Sequence, residues 1–283
     1  MRIRVIDAFT EQPFSGNPAA VCLLNADSWP GQSWMQQVAA EMNLAETAFA
    51  HPVVENVDAH WALRWFTPNV EVDLCGHATL ATAHALHSDR AAPSTVRFST
   101  RSGILITYAH RDGAITMDFP AAPVNEILIP DGLPKALGAT PDAAYGTGAL
   151  GDVLAVFPDE AVVRALAPDF TALAYLSRRD GIRGIIATAP ASDRSSGYDF
   201  VSRFFAPAVG IPEDPVTGSA HTALAPYWSG RLDRSSLTGL QASTRSGLVH
   251  TAVLADRVHL TGHAVTTLEG TLHHTARGIG SKP

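Results

Sequence analysis

One seven-residue motif occurs twice in this chain, and the duplication limits the fold more than any other feature. Arg64-Trp65-Phe66-Thr67-Pro68-Asn69-Val70 is echoed by Arg203-Phe204-Phe205-Ala206-Pro207-Ala208-Val209, so both copies read R-x-F-x-P-x-V. Five residues after each valine stands a side chain able to do chemistry, Cys75 in the first copy and Asp214 in the second. Each copy then leads into a glycine and a run of small residues, Gly76-His77-Ala78-Thr79 and Gly218-Ser219-Ala220-His221. A strand, a turn and a glycine-led helix start read as duplicated, with the reactive position changed. The simplest architecture is two pseudo-equivalent halves facing each other across a cleft.

Size and composition agree with that. At 283 residues the chain exceeds the usual single-domain length, and 46% hydrophobic residues suffice for two substantial cores. Only 17% of residues are charged and the net charge is −7, which argues against a nucleic-acid-binding surface. No apolar stretch reaches membrane-spanning length, and Met1-Arg2-Ile3-Arg4-Val5 leads into a strand-like segment in place of a signal peptide. Cys22, in the apolar run Ala20-Val21-Cys22-Leu23-Leu24, reads as a buried small hydrophobe. With two cysteines and no disulfide framework, the expectation is a soluble, cytoplasmic protein.

Strands dominate the pattern. Residues 2–9, 19–24, 47–50 and 59–66 read as strands, and residues 34–42 as a helix with Ser33 as its N-cap. Residues 77–87 read as a helix that carries no formal charge and is therefore buried. Residues 96–100, 104–109 and 114–119 form a meander, after which Pro120-Ala121-Ala122-Pro123 is the best linker candidate. The second half repeats the theme, with strands at 153–157, 184–188 and 198–205, a helix at 160–166, a short helix at 221–228 and a closing hairpin over 248–260. A sheet wrapped around a central helix satisfies both halves, because a helix apolar all round needs apolar neighbours on every side. The expected domains are residues 1–119 and 124–283, with the extreme C-terminus a candidate to return to the first half.

Four motifs carry a family resemblance. Asp7-Ala8-Phe9 with Phe14-Ser15-Gly16-Asn17-Pro18-Ala19-Ala20-Val21, then Asn43-Leu44-Ala45-Glu46-Thr47-Ala48-Phe49, then Asp73-Leu74-Cys75-Gly76-His77-Ala78-Thr79-Leu80, then Asp214-Pro215-Val216-Thr217-Gly218-Ser219-Ala220-His221 resemble the phenazine-biosynthesis-like (PhzF-like) isomerases, in the family's order. The resemblance implies an α+β, diaminopimelate-epimerase-like fold: two pseudo-symmetric domains, each a mostly antiparallel sheet rolled around a central helix, with the active site between them. It also implies a cofactor-independent isomerase and a homodimer.

Read as residues alone, Glu46 is a carboxylate among small and apolar neighbours. Once desolvated, such a group has a raised pKa and can donate and accept a proton near neutrality; the alternative is a capping or surface glutamate. The resemblance makes Glu46 the catalytic acid/base. Cys75, before the first buried helix, is a candidate thiolate, since a helix N-terminus holds anions and lowers thiol pKa. Epimerases of this fold use two cysteines, one from each half; here Asp214 stands at the second position, which leaves Cys75 an accessory group. By resemblance His77 and Gly76 contact or orient substrate, Asp214 lies in the site, and Gly218 and Ser219 bind substrate at the second helix start. Asp214 alone also reads as a turn residue before proline, and Asn17 either as a turn residue or as reaching the same cleft. Two helix N-termini in one cleft favour a small carboxylate-bearing substrate.

Cys75, His77, His84 and His87 are close enough in sequence to suggest zinc, but no dedicated ligand spacing supports a metal. Gly146-Thr147-Gly148 is too short for a dinucleotide fingerprint, so no cofactor is expected. The reading is an isomerase that moves a proton with Glu46, aided by His77 and Asp214, with neither nucleic acid nor membrane as partner. The alternatives are a Cys75-dependent epimerase or racemase, and a small-ligand-binding protein of the same fold without catalysis.

Overall fold

Short β-branched and aromatic runs between turn residues make the strands, and an uncharged helix in the first half and a nearly uncharged one in the second are driven inside. The computed structural model describes residues 1–54 and 58–273. The chain divides into two compact units. Among the described residues, the first takes Met1–Phe14, Pro18–Met117 and residues 263–273, the second Ser15–Asn17 and Asp118–Gly262. The expected C-terminal return lies outside the described residues from residue 274 on.

The first unit runs β1 (Arg2–Ala8), β2 (Asn17–Leu23), α1 (Gln32–Met42), β3 (Glu46–Pro52), β4 (Trp61–Phe66), β5 (Glu71–Val72), α2 (Gly76–Ser88), β6 (Thr95–Thr100), β7 (Gly103–Ala109) and β8 (Ile115–Pro120), on which the chain passes into the second. The second continues with β9 (Asn125–Ile127), α3 (Leu133–Leu137), β10 (Ala143–Gly146), β11 (Val153–Val156), α4 (Glu160–Ala165), α5 (Phe170–Asp180), β12 (Ile185–Pro190) and β13 (Phe200–Ala206). It ends with β14 (Ile211–Asp214), α6 (Gly218–Leu232), β15 (Ser236–Gln241), β16 (Gly247–Leu254) and β17 (Arg257–Gly262). Finally β18 (Ala264–Thr271) returns to the first unit, antiparallel to β1 from Ala8↔Ala264 to Arg2↔Thr271.

The two units use one pairing scheme. In the first, β2–β3 is parallel, β3–β4 and β4–β5 antiparallel, β4–β6 parallel and β6–β7 antiparallel. In the second, β11–β12, β12–β13, β13–β14, β13–β15 and β15–β16 repeat those steps in that order. Each unit is thus a mixed, mostly antiparallel sheet. In the first, α2 packs on β1, β3, β7 and β18, and nine of its thirteen residues are buried. In the second, α6 packs on β15, β16 and β17. Helices cover the opposite sheet face. Leu154, Ile186 and Phe204 face α6, while their neighbours Val153, Ile185 and Phe205 pack with Leu133, Val163 and Leu173 of α3, α4 and α5. Cys22 packs beside Met35 and Val38 of α1, and burial pushes its thiol up to about 12.

The duplicated arginine and phenylalanine are structural. Arg64 donates from Nε and Nη2 to Glu71, both at 2.6 Å, with its guanidinium 5.2 Å from the Phe66 ring. Arg203 repeats this with Glu213 at 2.8 and 2.9 Å and Phe205 at 4.9 Å, and its Nη1 donates to the Leu166 carbonyl at the end of α4. R-x-F is thus an arginine and an aromatic ring on one strand face, tied to a carboxylate on the next short strand.

Strand register corrects one equivalence. Trp65 lies opposite Val72, whereas Phe204 lies opposite Asp214. The second turn is three residues longer and holds the helical turn Pro207–Val209, so Asp214 matches Val72 and not Cys75. The residue that matches Cys75 is Thr217, each being the N-cap of its unit's buried helix.

Four helices also differ from expectation, and the short α3 is one that was not anticipated. α1 starts one residue before Ser33, with Gly31 as N-cap and no side-chain cap bond. α5, which was not anticipated, is held by the Asp169 side chain accepting from Thr171 and Ala172 N–H, and ends at left-handed Gly181. α6 is longer than expected and runs through Pro226. Pro226 has no N–H for the Thr222 carbonyl, and the N–H of Ala122, in the expected linker, fills that place at 3.0 Å.

Candidate active site

In the first unit, Glu46 is the first residue of β3, set there because α1 has ended at Met42 and Asn43 turns the chain with φ 49°. It therefore caps no helix, and it is 9% exposed. His77, the second residue of α2, brings Nε2 to 3.2 Å from Glu46 Oε2, within ion-pair distance though not aligned as a hydrogen bond. Cys75 at the N-cap places Sγ 3.5 Å from the other ring nitrogen, Nδ1. Gly76 opens the helix between them, half-buried.

Burial raises the Cys75 thiol, and the Glu46 carboxylate raises it further. A helix start can lower a thiol pKa, but here desolvation outweighs that effect. For His77, burial disfavours the imidazolium, yet the adjacent Cys75 and Glu46 hold its pKa well above the ordinary value.

Glu46, Cys75 and His77 are also the described residues whose ligand atoms gather closely enough for a metal ion, within 4.8 Å of one another. His84, named with them in the zinc reading, instead bonds Thr266 at 3.2 Å. The two ring nitrogens of His77 address different partners from opposite edges, which is the geometry of a relay more than of three ligands around one ion.

In the second unit, Asp214 ends β14, 7% exposed, and its carboxylate is a hub. Oδ1 accepts from Asn17 Nδ2 at 2.8 Å and Oδ2 from Thr217 Oγ1 at 2.5 Å. Asn17 also donates to the Val216 carbonyl at 2.9 Å. Gln241 braces the same segment, accepting from Thr217 N–H at 2.8 Å and donating to the Asp214 carbonyl at 2.8 Å. Asp214 and Asn17 are thus brought together, and both fix the turn that launches α6. Gly218 and half-buried Ser219 open that helix, and neither α2 nor α6 has a side-chain cap bond at its N-terminus. Ser219 Oγ accepts from Arg183 Nη2 at 3.1 Å, and Arg183 is in turn forked onto fully buried Asp152.

Sequence reasoning missed Thr217, Gln241, Arg183 and Asp152. Thr217 lay inside a quoted motif; the others come from distant strands with no local signal.

Comparison with known proteins follows the same lines. The family model for phenazine biosynthesis-like proteins matches residues 6–270. An uncharacterized isomerase of Pseudomonas aeruginosa is 48% identical, covering 95% of this chain and 97% of its own. The crystal structure of a phenazine biosynthesis PhzF-family protein from Enterococcus faecalis aligns with TM-score 0.87 at 40% identity, over 96% of this chain and 99% of that one. A probable proline racemase from Agrobacterium radiobacter, at 12% identity and TM-score 0.64 over 98% and 94% of the two chains, shares the fold. Fold and family define a small-molecule isomerase of the diaminopimelate-epimerase-like architecture. The chain belongs to the phenazine biosynthesis-like family.

Proposed function

We propose that this isomerase relocates a proton on a small carboxylate-bearing substrate without a cofactor, with Glu46 as the acid/base. The observation that carries the reading is the buried Glu46–His77 pair at 3.2 Å. A carboxylate held beside an imidazole, in a setting that excludes most water, is oriented towards a carbon acid presented to it. Glu46 then takes the proton from one carbon and, now a neutral acid, returns it to another. His77 steadies the carboxylate in each anionic stage. Asp214 acts as a positioning residue through Thr217 and Asn17. Ser219, Gly218 and the uncapped start of α6 bind the substrate carboxylate, so that charge and hydrogen bonds fix its register.

Cys75 supplies the second reading, because its Sγ lies 3.5 Å from His77 Nδ1. Burial raises its pKa, so less of it is present as the thiolate, the form that could act as a base. The experiment is solvent deuterium incorporation, read by mass spectrometry, into a panel of small cyclic and acyclic amino and hydroxy acids. Label gained with wild type and lost with Glu46→Gln is the expected result. Full exchange by Glu46→Gln would sink the assignment and leave Cys75 as the next base.

A further inference from the structure

The duplication allows the two units to be read against each other position by position. Thr47 lies opposite Phe66, and Ile185 lies opposite Phe205, while Phe66 and Phe205 share one motif position. Glu46 therefore matches Gly184, and Ala45 matches Arg183. Gly76 and Gly218 open the buried helices, so His77 matches Ser219. Where the first unit brings Glu46 to His77, the second brings Arg183 to Ser219. One location in the repeat holds an anion beside a histidine; the other holds a cation beside a hydroxyl.

The second arrangement is built to stay in place. A side chain at Gly184 would displace the Phe204 ring, since a Cβ there would come 2.4 Å from it. That ring carries the Arg183 guanidinium at 5.5 Å. Nε and Nη2 of Arg183 donate to the two oxygens of Asp152, whose side chain is fully buried, and Gly184 N–H bonds the same carboxylate. A planar fork held on one side by a carboxylate and on one face by a ring has little freedom left. Arg183 Nη2 also donates to Ser219 Oγ at 3.1 Å. Arg183 has only hydrogens to give, so it occupies a lone pair of the serine oxygen. The Ser219 hydroxyl is left to donate its own hydrogen outward.

We propose that Arg183 is the positioning residue that turns the Ser219 hydroxyl into a committed donor for the substrate's carboxylate, and that the repeat has divided its work, proton transfer in the first unit and anion anchoring in the second. This rests on the reading above that Ser219 binds the carboxylate. Asp152 and Phe204 set the guanidinium, the guanidinium sets the hydroxyl, and the hydroxyl meets the ligand.

The test is a titration of the isotope-labelled full chain with sodium benzoate, followed at the backbone amides of Gly218 and Ser219. Wild type is expected to saturate. Arg183→Met is expected to bind about tenfold more weakly, the loss of one charge-assisted contact. Arg183→Lys keeps a cation for Asp152, and so the fold, but lacks the fork that reaches both partners; its affinity falls between the two and answers the question should Arg183→Met not fold. Combined with Ser219→Ala, Arg183→Met should cost nothing further, because it acts through that hydroxyl. The proposal is overturned if wild type shows no saturable shift, if both folded Arg183 variants bind as wild type does, or if the losses in the double variant simply add. Glu46→Gln, which removes a negative charge, should not weaken the titration, so loss of proton transfer in that variant with benzoate binding kept separates a failure of the proton-transfer reading from a failure of this one.

Discussion

Glu46 begins β3 and His77 is the second residue of the buried helix α2, and their Oε2 and Nε2 atoms lie 3.2 Å apart. On the other edge of the ring, Cys75 Sγ lies 3.5 Å from Nδ1. Glu46→Gln keeps the shape of the side chain and removes its basicity. It is expected to lower turnover by about 10²–10⁴-fold, while Cys75→Ser, which keeps a small polar neighbour for Nδ1, retains a substantial part of the activity. Steady-state rates of the two variants on any substrate that takes up deuterium decide the matter; the reverse ranking would transfer the chemistry to the thiol.

The same pair has a consequence for stability. Burial works against the His77 imidazolium, but Cys75 and Glu46 hold its native pKa well above 6.5. A raised histidine contributes stability that is fully present below the unfolded value, near 6.5, and is lost as pH rises through the native one. Urea unfolding between about pH 6 and about pH 9 should therefore show stability falling as pH rises. Glu46→Gln should flatten that fall. An equal slope in both proteins would remove Glu46 as its cause.

His221 behaves in the opposite sense. It lies fully buried on α6, with Nδ1 donating to the Thr217 carbonyl at 2.8 Å, and burial lowers its pKa to about 4. A depressed histidine contributes stability that is present above pH 6.5 and is lost as pH falls from there towards 4. The loss is worth about 3 kcal/mol at its full extent. His221→Gln is expected to remove this acid-side slope, whatever it does to stability at neutrality, and denaturant midpoints at pH 7 and pH 5 suffice to see it.

Arg203 holds two things at once, the Glu213 carboxylate and the Leu166 carbonyl that ends α4. Arg203→Met keeps the packing over Phe205 and strands both partners, at an expected cost of about 2–4 kcal/mol. Adding Glu213→Gln should recover part of that loss, since a neutral amide is cheaper to leave partly buried than a carboxylate. A double-mutant cycle with no coupling would mean the fork contributes packing alone.

An interior proline normally costs a helix about 3 kcal/mol, so Pro226→Ala in α6 invites an easy gain. Here the carbonyl of Thr222, which the proline leaves open, already accepts from Ala122. The alanine N–H would compete for an acceptor in use. The expected change is under about 1 kcal/mol, measured as a midpoint shift in chemical denaturation; a gain near the full value would show that the Ala122 bond contributes little.

What could be read from sequence was what local chemistry writes down. The absence of any charge in α2 demanded burial, and the repeat of Arg and Phe two residues apart marked β4 and β13. α5 was also written, in Asp169 before the helix and Gly181 after it, and went unread. Equating Cys75 with Asp214 failed for a different reason. Counting from the valines passes through a turn that is three residues longer in the second copy, and only strand register reveals the shift. The contacts of Ser219 with Arg183, and of Thr217 with Gln241, join distant stretches of chain. Nothing near either residue in sequence announces such a partner.

The pairing of β1 with β18 reverses the usual order of completion on the ribosome. Domains of a nascent chain ordinarily finish from the N-terminus onward. Here β1 emerges first, with β2 to follow on one side, and the strand for its other side is Ala264–Thr271. Most of the second unit, from Asp118 to Gly262, has been synthesised before that strand appears. Translation halted just before Ala264 would display β1 with one edge of unpaired N–H and C=O groups, a surface that other strands can join. The unit that is made first is closed last.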